Sequence, residues 1–513
     1  MPIRSRVLVS GMFATVSSLA LLFAACGGEV ENPARTRFDP SAGVDGAQVD
    51  ADADGAGIDG GTDADTPDGS DAGADVIAPD TGPLDELAPI TEIDLGTVAN
   101  GTTHTFRVGP NTVGVQILAQ ASTPQNVGIS DIFAPDGTVV SKDFIPTKGT
   151  FGTQIGADGL GAASIPVQNL PVTMPTVAEG DWTASFFDDD ATPIQARVKT
   201  LQTDDGRFHG GTLDIHLWIP DGLQMSDGDQ TVPVTVAGGP AQPTVKARLD
   251  SFYALLQKTT GIGRGNVTLH AIPSSFRTLE GDDGFDELVP LLKSSSAIGE
   301  QRAMHFFWVE SSPNLSWWGI ASGIPGAAQS PGTPLAGVVL ATIDQAPPEY
   351  EGSVMLHEMG HFIGLQHPTE FEGLGQDLLE DTPVCPNLTF NNYQNCPDGD
   401  NIMFAAGALD LNAAATSPLQ TNIFRSSFVY KALRRDPQAP LPSPTPSRSL
   451  FTKKPRFGAW SPQSPLATLL AGGCGHQHLP KKAQPSEIAG LRALVADRSA
   501  PAFVRERARR MLP

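Results

Sequence analysis

Positive charge, cysteine and long apolar runs are all scarce in this chain, and each scarcity excludes something. Lys and Arg number 33 against 57 Asp and Glu, a formal net charge of −24. No broad basic surface is offered to phosphates, so a nucleic-acid partner is excluded. Beyond residue 25 no segment reaches the roughly 20 apolar residues that a membrane-spanning helix needs. Cysteine occurs four times in 513 residues, as Cys26, Cys385, Cys396 and Cys474. In an exported protein Cys385 and Cys396 are placed to close a short disulfide loop, which leaves Cys474 over. Cys474 stands in "GGCGHQH" beside His476 and His478, and one cysteine with two such close histidines is not read as a metal site.

Apolar and aromatic residues are nearly missing from "DGAQVDADADGAGIDGGTDADTPDGSDAGAD", Asp45 to Asp75. Such a tract lacks the side chains that offset ordering entropy, so residues 26–88 are expected to form a disordered spacer. Its Asp-Gly pairs follow no fixed repeat, which sets aside calcium binding there. Before it, Arg4 and Arg6 precede an apolar run from Val7 to Ala25, the pattern of a secretory signal over residues 1–25. The run ends in "LLFAAC", which resembles the lipobox of bacterial lipoproteins, with Phe23 where that pattern has leucine. The resemblance implies lipidation of Cys26 and an exported protein held at the bacterial cell envelope, with a membrane as partner.

A chain of this length is too long for one core. Over 89–200, alternating segments such as "THTFRV", "VGVQILAQA" and "GDWTASFFDDD" are punctuated by Gly, Pro and Asp. That period predicts an all-β antiparallel sandwich, with a hairpin at "APDGTVV". Over 208–432 strands alternate with helices. "TLDIHLWIP", "NVTLHAIP", "AMHFFWVE" and "AGVVLATI" read as strands; Pro243 to Gly261 and "GFDELVPLL" read as helices. This is an α/β (α+β) domain with helices on the faces of a mixed sheet. His216, His270 and His305 fall inside strands and are assigned no role. A proline-rich basic linker (433–465) and a helical tail (466–513) follow; the oligomeric state is left open.

The chemistry is concentrated in "SVMLHEMGHFIGLQHPTE", on a helix expected from about Tyr350 to Leu365. His357 and His361 are four apart, so one helix face presents both imidazoles to one ion. Glu358 lies on the adjoining edge, within reach of a water at that ion without taking a coordination place. A third ligand requires the chain to bend, which Gly364 permits; His367 then arrives, and Pro368 stops the helix from continuing. Three neutral histidines leave a fourth position for water, the open arrangement of catalytic zinc. Zinc lowers the pKa of that water towards about 7, and Glu358 serves as general base.

"HEMGHFIGLQH" resembles the zinc signature of the metzincin metalloproteases, and "DNIMF" places Met403 where that superfamily has its Met-turn methionine. "DLLEDTPVC", followed by Asn387, Cys396 and "NIM", is similar to the pappalysin branch. That likeness implies a metzincin-like catalytic domain, a zinc endopeptidase acting on protein or peptide substrates, and Asp377 and Thr382, with Asp381 nearby, as calcium ligands. It also implies substrate lying antiparallel along the strand Gly337 to Ile343. Pappalysins carry a tyrosine two residues beyond the methionine; here that place is Ala405, so oxyanion stabilisation falls to zinc alone, or to Tyr393 or Tyr430. Some relatives silence the zinc with a propeptide cysteine, and no cysteine lies between Cys26 and Cys385 to do so. Two competitors stand beside this reading. One is a non-catalytic envelope or adhesion module with a vestigial zinc site, which Ala405 favours and the intact Glu358 opposes. The other is a zinc hydrolase of non-peptide substrates.

Overall fold

The structure is a computed structural model that describes residues 87–142, 145–146, 159–165, 177–188, 192–227, 230–279, 285–310, 317–343, 346–370, 377, 379–385, 388, 393–405 and 407–434. The leader, Cys26, nearly all of the acidic spacer, Asn387, Cys474 and its histidines, and nearly all of the linker and tail lie outside the described residues. Among those described, no helix is long and apolar enough to cross a membrane.

The first nine strands are β1 (Ile90–Val98), β2 (Thr103–Val108), β3 (Thr112–Ala121), β4 (Val127–Phe133), β5 (Val139–Lys142), β6 (Ile145–Pro146), β7 (Leu160–Ile165), β8 (Gly180–Asp188) and β9 (Ile194–Gln202). They form two antiparallel sheets, ordered β1-β9-β3-β7 and β2-β8-β4-β5-β6. Alternate residues of both sheets meet in one core: Val115, Ile117 and Val198 from the first, Phe106, Trp182 and Phe186 from the second. Period-two patterning decides this arrangement, because each inward set is apolar. The hairpin between β4 and β5 turns at Gly137, whose φ of 83° suits glycine, and Ala134 N–H donates to the Thr138 carbonyl at 2.9 Å.

β3 is buried on both faces. Its outward face packs on the second half of the chain, where Leu118 joins Leu160, Ala162, Ala327 and Leu335. Gly114 permits the closest approach, since a Cβ there would lie 2.2 Å from the Ser426 carbonyl oxygen.

The second half contains β10 (Gly211–Pro220), the ribbon β11 (Gln224–Asp227) and β12 (Gln230–Pro233), α1 (Pro243–Thr260), β13 (Gly263–Ile272), α2 (Phe285–Lys293), β14 (Ala303–Val309), β15 (Gly319–Ala321), β16 (Val338–Ala341), α3 (Pro348–Phe362), α4 (Pro418–Ser426) and β17 (Lys431–Ala432). Its sheet is ordered β13-β10-β14-β16-β15, with β17 against β10. All pairings in that order are parallel except that of the edge strand β15. The parallel strands are apolar throughout because both faces are covered. Leu217, Phe306 and Leu340 face the core with α1 and α3; Trp218, Phe307 and Val339 face a second core with α2.

One buried ion pair sets α3 against α1. Arg248, fully buried, pairs with Glu351 and donates to the carbonyls of Thr244 and Ser226, each at 2.9 Å. The other Glu351 oxygen accepts from Ile343 N–H at 2.9 Å, just past β16.

Two expectations need correction. The strand Gly337 to Ile343 is not an open edge. Val338–Ala341 pairs with β14 on one side and β15 on the other, so its backbone groups are committed, and the edge belongs to Gly319–Ala321. That strand is three residues long, too short to stand out as a period. The zinc-motif helix also stops at Phe362 rather than Leu365, because the chain is already turning at Gly364.

Candidate metal centre

α3 starts with Pro348 at its first position and carries Glu349 and Glu351 in its first turn, where they complement the helix dipole. At its far end Gly364 N–H reaches the His361 carbonyl and Leu365 N–H the Gly360 carbonyl, each at 2.9 Å. Gly364 has φ 113°, a left-handed backbone that glycine adopts cheaply. The reversal brings His367 back onto the helix face of His357 and His361.

The three Nε2 atoms form a triangle with every side 3.1 Å. Each ring is held from behind. His357 Nδ1 donates to the Ile402 carbonyl and His361 Nδ1 to the Leu365 carbonyl, both at 2.7 Å; His367 Nδ1 donates to Glu370 Oε1 at 2.8 Å. Carbonyl and carboxylate oxygens only accept, so the protons sit on Nδ1 and the three Nε2 lone pairs face one another. Three acceptors this close repel unless a cation stands among them. The centre of such a triangle lies about 1.8 Å from each corner (the side divided by √3), so bonds of about 2.0–2.1 Å reach all three nitrogens from just beside it. All-imidazole donors and a buried position, with the rings 1–3% exposed, suit zinc.

Glu358 is fully buried and lies against the edge strand. A Cβ on Gly319 would come within 2.4 Å of its Cγ and 2.8 Å of its Oε1. Met403, also fully buried, lies beneath the helix, where a Cβ on Gly360 would meet its Sδ at 2.3 Å. The turn that carries it is closed by Asn401, whose Oδ1 accepts from Met403 N–H at 2.8 Å and whose carbonyl accepts from Phe404 N–H at 3.0 Å.

Asp377 and Thr382 are brought together, with the Thr382 hydroxyl donating to Asp377 Oδ1 at 2.6 Å. Burial pushes the Asp377 carboxyl up to about 7, and its Oδ2 has no partner among the described residues. Asp381 is engaged elsewhere, accepting from Ser417 Oγ at 2.9 Å and Leu419 N–H at 2.7 Å at the start of α4. Cys385 and Cys396 are joined, Cα to Cα 5.2 Å, in a cluster with Tyr393, Phe404 and Ala405. The Tyr393 hydroxyl accepts from Gln394 Nε2 at 3.1 Å. Tyr430 instead donates its hydroxyl to the Arg425 carbonyl at 2.5 Å.

Several contributors escaped the sequence reading. Glu370, three residues after His367, had a signal in its spacing. Gly360 had one as a glycine inside a helical pattern, which marks close approach. The Ile402 and Leu365 carbonyls had none, because any residue supplies a carbonyl. Asp398 is 2% exposed, with neither oxygen in a well-formed hydrogen bond and Thr369 as its polar neighbour; burial raises its carboxyl above the usual range.

No protein-family model matches the chain, and no curated protein matches it. Among solved structures, archaemetzincin from Methanopyrus kandleri aligns at 16% identity and TM-score 0.24, over 42% of this chain and 95% of its own. The CspB protease of Clostridium perfringens aligns at 13% identity and TM-score 0.16, over 21% of this chain and 25% of its own. A family two carbohydrate esterase from Cellvibrio japonicus aligns at 10% identity and TM-score 0.13, over 38% of this chain and 55% of its own. Overlaps this slight leave the functional reading to the site itself.

Proposed function

We propose that this chain is a zinc metalloendopeptidase of the metzincin type, acting on proteins or peptides. The observation that carries the proposal is the triangle of Nε2 atoms, each ring tied back at Nδ1, with Glu358 next in sequence to the first of them. Bound zinc supplies a Lewis acid that lowers the pKa of water towards about 7 and polarises a carbonyl. His357, His361 and His367 hold the ion. Glu358 takes a proton from the attacking water and hands it to the leaving amine. Substrate backbone lies beside Gly319–Ala321, the last strand of this sheet among the described residues, against which Glu358 packs.

The test is cleavage of a quenched casein by the protein from Gly27 onward, with and without a zinc chelator. Glu358→Gln should retain zinc and lose about 10²–10⁴-fold in turnover. Zinc-independent cleavage, or full activity in that variant, refutes the mechanism.

Calcium belongs to this proposal as a second, structural cation. Asp377 and Asp398 support it, since buried carboxylate oxygens without good partners favour a cation or a proton. Calcium should raise the melting temperature of the wild type and leave Asp398→Asn unchanged; equal responses would remove it. We also place the enzyme at the bacterial cell envelope, exported by residues 1–25, lipidated at Cys26 and held off the membrane by the acidic spacer. An N-terminal peptide from the membrane fraction that lacks acyl mass on Cys26 would overturn the anchor.

A further inference from the structure

The β-sandwich buries polar side chains in its outward face, among them Lys199 of β9 and, opposite it, Gln116 of β3. On β3, Val115, Ile117 and Ala119 point into the sandwich, while Gln116 and Leu118 point towards the α/β half. Gln116 is 2% exposed. Its Nε2 donates to the Gly326 carbonyl at 3.2 Å, and its Oε1 has no partner among the described residues. An amide buried with one atom unsatisfied is destabilising, because that atom has given up water for nothing. The apolar contacts of Leu118 in the same face show what the position would hold if packing were its whole purpose.

The single hydrogen bond of Gln116 leads to the metal ligands. Gly326 N–H donates to the Phe362 carbonyl at 2.8 Å. Phe362 ends α3, one residue past His361 and two before Gly364. Its carbonyl is among those that a helix terminus leaves open. In the bend itself the amides of Gly364 and Leu365 go to His361 and Gly360, and that of Ile363 to Met359. The Phe362 carbonyl is therefore satisfied from outside, by a loop running from β15 to β16. Contact there is tight, since a Cβ on Gly326 would lie 2.1 Å from the Phe362 ring.

We propose that Gln116 is a positioning residue for the metal centre. Through the carbonyl and N–H of Gly326, on the two peptide groups that flank its Cα, it holds the end of α3, so the β-sandwich helps to set the turn that carries the chain from His361 to His367. The inference rests on the metal-site reading above and not on peptidase activity, so its test reads the metal.

Gln116→Met in the full chain keeps the length of the side chain and removes its donor. Zinc affinity, measured by competition with a chromophoric chelator, should weaken about 10-fold. The d–d absorption of the cobalt-loaded protein should shift, while the melting temperature of the metal-free protein holds or rises. Leu118→Ala is the control, because it loosens the same interface, where Leu118 packs near Ala327, while leaving the Gln116 hydrogen bond to Gly326 in place. It should lower the metal-free melting temperature and leave the cobalt spectrum alone. If Leu118→Ala weakens zinc as much as Gln116→Met, interface integrity explains the effect and the proposal falls. An unchanged affinity and spectrum in Gln116→Met overturns the proposal alone, whereas a wild type that binds no zinc refutes the site and the proposal together.

Discussion

Gly319 lies against Glu358, and its missing side chain gives Glu358 its place. Any Cβ there would overlap the Glu358 side chain, which is fully buried and has little room to retreat. Gly319→Ala should therefore displace the proposed general base while leaving the three histidines untouched. Turnover should fall about 100-fold, the usual cost of a reacting group misplaced by about 1 Å. Zinc content by atomic absorption should stay at the wild-type level. Unchanged turnover would mean that Glu358 has another productive position. Gly360 and Met403 are the matching pair on the opposite side of the helix. There the small residue lets sulfur pack beneath the ligands, and the backbone turn bearing Met403 also delivers the Ile402 carbonyl to His357.

At the scale of elements, three neighbouring parallel strands carry a row of histidines that the proposed mechanism does not use. His216 on β10 bonds His270 on β13 at 2.7 Å and Gln301 at 3.0 Å. Trp218 Nε1 donates to His305 Nδ1 on β14 at 3.1 Å. Burial lowers all three pKa values, His305 to about 3, with neighbouring imidazoles adding to the effect at His270 and His305; at His216 Gln301 and Asp214 oppose it and Lys431 adds to it. Unfolded histidine takes up its proton near pH 6.5, folded His305 only near 3. Across that window the unfolded state binds more protons, so this contribution is full above pH 6.5 and is lost as pH falls towards 3. The loss is on the order of a few kcal/mol. His305→Asn keeps an acceptor for Trp218 and removes the titration. Melting temperatures of the metal-free protein at pH 7.5 and 4.5 should differ less in this variant than in wild type. Parallel falls in the two proteins would show that His305 does not drive the acid sensitivity.

At the scale of the molecule, the sandwich and the α/β half are joined by more than Gln116. Lys199 on β9 has a side chain 1% exposed, lying 3.3 Å from Glu300 and 3.9 Å from Glu92, with Gln329 Oε1 at 3.4 Å. Ala88 N–H donates to the Ala432 carbonyl at 2.8 Å, and Leu87 bridges Leu433, so the first and last described segments are paired. Shared apolar and polar contacts of this kind couple the two halves. Calorimetry of the metal-loaded protein should show one transition, with equal calorimetric and van't Hoff enthalpies. Zinc at 1,000 times its dissociation constant should add about 4 kcal/mol to that same transition. Two separated peaks, of which zinc moves one, would show that the halves unfold independently.

The sequence by itself determined what local pattern controls. Period-two alternation marked β2, β3, β4 and β8, and Pro243 and Gly261 bracketed α1, because strand pleat and helix termini are set by residues a few positions apart. The spacing of His357, His361, Gly364 and His367 likewise announced a convergent site, since a helix face and one glycine turn are short-range geometry. α4 went unread although "SPLQ" carries its capping box, in which Ser417 and Gln420 cap each other's backbone. Only the tertiary structure decided which strand is the edge, because pairing of Gly319–Ala321 with Val338–Ala341 is a choice among distant partners. It alone brought Ile402, Leu365 and Glu370 behind the imidazoles, and Gln116 to the loop that closes α3. These contacts join segments up to 210 residues apart (Gln116 and Gly326), largely through backbone groups that every residue shares, so no residue type could announce them in advance.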